Sequence, residues 1–101
     1  MKRIIKVKDV INSKFAIKED KGRILYKLLQ ESLGKNEKII LDFEDITAST
    51  TRFFNVSIAM LYKDFSKEVV ENNIEIKNTN SVLNSQLEVS KNGAKEFYRI
   101  K

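Results

Sequence analysis

The sequence predicts an α/β fold in which strands and helices alternate and the helices cover a sheet. Three observations predict it. Lys38-Ile39-Ile40-Leu41-Asp42-Phe43 is an unbroken apolar run, the kind carried by a strand covered on both faces. The segments flanking it, with Leu25, Leu29 and Leu33 before and Phe54, Ile58, Leu61, Tyr62 and Phe65 after, carry apolar residues at helical spacing. Beyond these stand two more strand-like runs, one at each side, so strand and helix patterns alternate along the chain.

Taken in order, residues 3–11 alternate closely enough to read as a first strand with one wetter face. Phe15-Ala16-Ile17 reads as a short second strand or an extended arm. Glu19 and Asp20 supply the negative charge that a helix start favours, and Ile24, Leu25, Leu28, Leu29 and Leu33 form the stripe that follows. Gly34 is the expected stop. After the strand at 38–43, Glu44 and Asp45 return the chain to water. Ile46-Thr47-Ala48-Ser49-Thr50-Thr51 then offers hydroxyls that can cap a helix of about 50–69. Asn72 to Lys77 reads as another strand, with Ile74 and Ile76 on one side. Asn78-Thr79-Asn80-Ser81 is polar punctuation able to cap a shorter helical face of Val82, Leu83, Gln86, Leu87 and Ser90, ended by Asn92-Gly93. Ala94 to Lys101 fits a continued helix, an edge strand or a docking segment equally.

With 101 residues the chain has room for one domain, expected to span 1–101, and for one modest core. Its 42% hydrophobic and 33% charged content is that of a folded chain rather than a disordered one. Proline is absent and glycine occurs three times, so nothing marks a domain boundary. No stretch approaches the roughly 20 apolar residues of a membrane span. The basic N-terminus turns charged again too soon for a secretory signal, and a cytoplasmic location is expected. Cysteine and histidine are both missing, which excludes disulfides, thiolate chemistry, sulfur-based zinc sites and histidine general bases. A binding or regulatory role without cofactor, metal or catalysis is therefore expected over an enzyme.

The order Ile39-Ile40-Leu41-Asp42-Phe43, a hydroxyl cluster, then Arg52-Phe53-Phe54-Asn55 opening a helix that ends near Leu61-Tyr62-Lys63-Asp64-Phe65 resembles the bacterial STAS-like domains of unknown function. These are small relatives of the anti-sigma factor antagonists (STAS domains). Lys21-Gly22-Arg23 and Ile74-Glu75-Ile76-Lys77-Asn78 fit the same family. The resemblance implies a STAS-like sandwich with a mixed sheet of about four strands and helices packed mainly on one face. It also implies a regulatory protein that docks on a GHKL-type ATPase or kinase, such as an anti-sigma factor. In the antagonists a Ser or Thr at this helix start is phosphorylated and releases the partner. Thr50 matches that position best, with Ser49 and Thr51 adjacent, and Arg52, Phe53 and Asn55 form the expected partner surface. A phosphate adds roughly −1.5 to −2 charge, which a helix start accommodates and a docked partner does not. The aspartate that usually precedes the modified residue is missing. Arg52 replaces the usual following glycine and can itself pair with an anion.

Plainer readings stand beside these. The hydroxyls serve equally as a cap and turn. Asp42, Glu44 and Asp45 read as a solvated strand end rather than a metal site. Gly22 and Gly34 lack the partner spacing of a phosphate-binding loop. Phe54, Tyr62 and Phe65 belong to a core stripe, whereas Phe53 falls off it and reads as an exposed contact. The net charge of +5 raises one alternative function, a nucleic-acid-binding accessory protein using Lys2, Arg3, Lys6 and Lys8.

Overall fold

The computed structural model describes residues 2–98. Its elements run β1 (Lys2–Lys6), α1 (Val7–Ile11), β2 (Phe15–Ala16), α2 (Glu19–Gly34), β3 (Lys38–Asp42), β4 (Ala48–Ser49), α3 (Thr51–Asn55), α4 (Leu61–Asp64), α5 (Lys67–Asn73), β5 (Ile74–Lys77) and α6 (Ser81–Phe97). The fold is a small α/β globule, but the sheet differs from the expected mixed one of four strands. β1, β3 and β5 form a three-stranded sheet in that order, and β2 pairs with β4 in a separate two-stranded sheet. Every pairing is parallel. The reason is connectivity, since each step within the main sheet passes through helices, and a helical crossover returns the chain in the same direction. The expected fourth strand, at Phe15–Ala16, pairs aside from that sheet.

Both crossovers, β1 to β3 and β3 to β5, step the same way across the sheet. Crossovers of one hand moving in one direction deposit their helices on the same face. Ile5, Ile39 and Leu41 are buried on that face, and the half-buried Ile74 and Ile76 continue it. The opposite face is open: Ile4, beside Ile40 in the register, is 65% exposed. The strand at 38–43 is thus covered on one face and not on two.

Several boundaries also depart from expectation. The first strand stops at Lys6, because Val7 and Ile11, four apart, are buried together when residues 7–11 coil, and Asn12 closes that turn at φ 53°. Gly34 is the last helical residue of α2, and the left-handed turn belongs to Asn36, at φ 60°. The single helix of 50–69 is three short ones. Ser57 Oγ donates to the Phe53 carbonyl, Ala59 N–H reaches back to the Phe54 carbonyl, and Phe65 is extended before Ser66 caps α5 through the Val69 N–H. The stripe nevertheless buries Phe54, Ile58, Leu61 and Tyr62 as its spacing requires, because tight turns keep nearly the angular order of a helix. At the C-terminal end, α6 runs through Gly93 to Phe97, since Leu83, Leu87, Ser90 and Ala94 continue one buried face past the glycine. Of the undecided segment, 94–98 extends the helix and its turn, and 99–101 lie outside the described residues.

Candidate functional site

The hydroxyl cluster lies where the small sheet meets α3. Lys14 and Ala16 carbonyls accept from the N–H groups of Thr47 and Thr50 at 2.8 and 3.1 Å, which clamps the cluster to β2 and to the residue before it. Thr50 is extended (φ −135°, ψ 154°), and its Oγ1 accepts from the Phe53 N–H at 3.1 Å, so it is the N-cap of α3. The same hydroxyl lies 3.4 Å from the Ile17 carbonyl, to which it can donate. Ser49 Oγ donates to Oε1 of Gln86 on α6. Thr51 is half-buried and opens the helix. The structure therefore brings Ser49, Thr50 and Thr51 to one junction, with two of the three hydroxyls already engaged. The helix they lead has only five residues, so the polarised end expected of a long helix is correspondingly weak.

The Arg52 side chain is 74% exposed, with its Nη1 3.5 Å from Oε2 of Glu19, a carboxylate that also meets Arg23 at 3.5 Å. Asn55 is exposed and accepts from the Ser90 hydroxyl at 2.6 Å. Phe53 does not join them. It is fully buried, edge-on to Phe54 at 5.6 Å between ring centres, because α3 is wedged between α2 and α6 and has no free side at that position. Its expected role as an exposed contact is therefore corrected. Gly22 explains the tightness, since a Cβ there would stand 2.7 Å from Val56 Cγ2 and 3.0 Å from the Phe53 carbonyl oxygen. Lys21-Gly22-Arg23 thus marks a close helix approach.

An open pocket of about 520 Å³ is lined by Ile17, Lys18, Glu19, Asp20, Thr50 and Arg52. Ile17, just after β2, is 41% exposed in this lining and is shared with a second pocket that holds Phe15, 56% exposed, while Ala16 between them is fully buried. These two apolar contacts, and Gln86 and Ser90 across the junction, were not singled out from the sequence as site residues. The alternation Phe-Ala-Ile was their only signal, and it is the pattern of any short edge strand.

The four basic residues of the N-terminus each face a carboxylate. Lys2 meets Glu75 at 3.7 Å, Arg3 meets Glu37 at 3.5 Å, Lys6 meets Glu44 at 3.8 Å and Lys8 meets Asp45 at 2.8 Å. The Lys8 hydrogen bond holds Asp45 below, and lifts Lys8 above, its usual range. In the acidic group, Asp42 Oδ1 accepts from Asn78 Nδ2 at 2.7 Å and from the Glu44 N–H at 2.9 Å, which lowers its pKa. Among the described residues no group of three or more acidic side chains is placed to hold a metal ion.

A family model described as STAS-like domain of unknown function (DUF4325) matches residues 21–84, from the start of α2 into α6. The chain belongs to that family. No curated protein and no solved structure gives a significant match. The matched span of this STAS-like chain contains Ser49, Thr50, Thr51, Arg52 and the strands β3 and β5, whereas β2, Ile17, Gln86 and Ser90 of the junction lie outside it. No helix among its described residues is long and apolar enough to cross a membrane.

Proposed function

We propose that this STAS-like chain is a non-enzymatic regulatory module that docks on a protein partner through the junction of β2, β4 and α3. Ser49, Thr50 and Thr51 are its switch hydroxyls, and Arg52 and Asn55 its polar contacts. Phe15 and Ile17 take the apolar role first given to Phe53. The partner class is an ATPase or kinase, by the family's kinship with anti-sigma factor antagonists. The observation that supports the reading best is the shared pocket: Thr50 and Arg52 line one open surface with Ile17, so a charge placed on the hydroxyl lies inside the contact area. A phosphate there keeps an oxygen for the Phe53 N–H while adding charge that a docked partner must bury.

The nucleic-acid reading draws less support, because Lys2, Arg3, Lys6 and Lys8 are each paired with a carboxylate of the same molecule. The test is affinity capture from the native host with the wild-type chain and with Thr50→Glu. Partners and phosphate on Ser49, Thr50 or Thr51 are read by mass spectrometry. An ATPase or kinase retained by the wild type and lost from Thr50→Glu is the expected result. Capture of nucleic-acid-associated proteins equally by both overturns it.

A further inference from the structure

We propose that the open face of the β1–β3–β5 sheet is a second docking surface, distinct from the hydroxyl junction, and that its occupant is an acidic amphipathic helix of another protein. All-parallel sheets occur almost only with both faces covered, because their strands carry apolar residues on each side. Here one face is covered and the other is not. Its register sets Ile4 beside Ile40 and Ile40 beside Glu75. Ile4 is 65% exposed and Ile40 is half-buried, an apolar centre that no helix among the described residues covers.

Charge selects the occupant. Alternation places Lys2, Lys6, Lys38, Lys77, Asp42 and Glu75 around the two isoleucines, four cations against two carboxylates. Lys2 and Lys77 share the single carboxylate of Glu75 at 3.7 Å each, Lys6 meets Glu44 at 3.8 Å and Asp42 accepts from Asn78, so the positive surplus of the face rests on Lys38, whose Nζ reaches the Asn72 carbonyl at 3.4 Å. A second copy of this face would bring like-charged rims together, which disfavours self-pairing. A helix with an apolar stripe flanked by glutamates meets both requirements, with the lysine stems extending the apolar area.

The experiment titrates the isotope-labelled full chain with a synthetic helical peptide carrying a leucine stripe flanked by glutamates, and with its twin carrying lysines in their place. Amide shifts are read by NMR. The acidic peptide is expected to shift amides of β1, β3 and β5, while the basic twin does not. Ile4→Ser, an exposed change that leaves the core amides in place, weakens binding about tenfold. The double variant Lys38→Glu, Lys77→Glu inverts the preference between the peptides. Equal response to both peptides, shifts centred on Thr50, no binding, or self-association of the chain that Ile4→Ser abolishes would each overturn the assignment. Because the face is separate from the junction, none of these results bears on Thr50→Glu.

Discussion

Glycine illustrates how one residue type carries opposite consequences at two positions. Gly22 sits against Val56 and the Phe53 carbonyl, so Gly22→Ala inserts a methyl where backbone blocks it. Overpacking of this kind costs about 1–3 kcal/mol, more than the gain in helix propensity of about 1 kcal/mol returns. Gly93 lies inside α6 with nothing within 4 Å of an added Cβ, so Gly93→Ala is expected to stabilise by about 0.5–1 kcal/mol. Urea midpoints of the two variants should move in opposite directions, and a common direction would refute the packing account. Thr50→Ala removes the cap of α3 and is expected to cost about 1 kcal/mol in the same assay. Stability alone thus separates the capping role of this hydroxyl from the signalling role proposed for it, which partner capture reads. The capping potential was legible in the hydroxyl-rich sequence. The engagement of Ser49 by Gln86 was not, because the two are far apart in the chain and meet only when α6 folds back.

At the scale of elements, α6 is the clamp on the candidate site. It packs on α3 and α4, reaches Ser49 through Gln86 and Asn55 through Ser90, and joins Lys95 to Glu71 at 3.0 Å. Leu87 lies at the middle of its buried face. Leu87→Ala is expected to cost about 2–5 kcal/mol, whereas Val89→Ser, on the exposed face, should stay within about 0.5 kcal/mol. Thermal unfolding of the pair checks this, and similar losses from both would mean that the outer face is covered after all. The helical period located this face correctly at Leu83, Leu87 and Ser90 but also put Val82 on it, which is 64% exposed. It misjudged the end, because Asn92-Gly93 is a stop signal only when nothing beyond it needs burying, and Ala94 does.

For the molecule as a whole, the two shifted tyrosines set an alkaline limit. Burial first, then the hydrogen bond to Asp64, raises Tyr26 from 10.0 to about 12. Burial and the hydrogen bond to Glu71 raise Tyr62 as well. Both phenols hold their protons more tightly folded than unfolded, so the unfolded chain releases protons first. The stability they contribute is complete below pH 10.0 and is lost as pH climbs towards about 12. Urea midpoints should therefore fall across that window, and Tyr62→Phe should flatten the fall. An unchanged slope in Tyr62→Phe would remove Tyr62 from the explanation. On the acid side burial pushes Glu71 up, but hydrogen bonds from Lys95 and Tyr62 outweigh it and hold the carboxyl low. Its contribution is therefore present at neutral pH and lost as pH falls through the carboxylate range.

The sequence by itself determined what short-range chemistry can settle: the apolar strands, the helical stripes that become the core, the capping hydroxyls, and the exclusion of thiol and histidine chemistry. Those features depend on spacing of a few residues, and such spacing is written directly in the chain. Only the tertiary structure decided which strands pair, that the sheet is all parallel with one face open, and that Phe53 is buried. It alone set Thr50 and Arg52 around one pocket with Ile17, and each N-terminal cation against a carboxylate. These depend on where two crossovers of the same hand deposit their helices, and on contacts between residues dozens of positions apart. No local pattern encodes either.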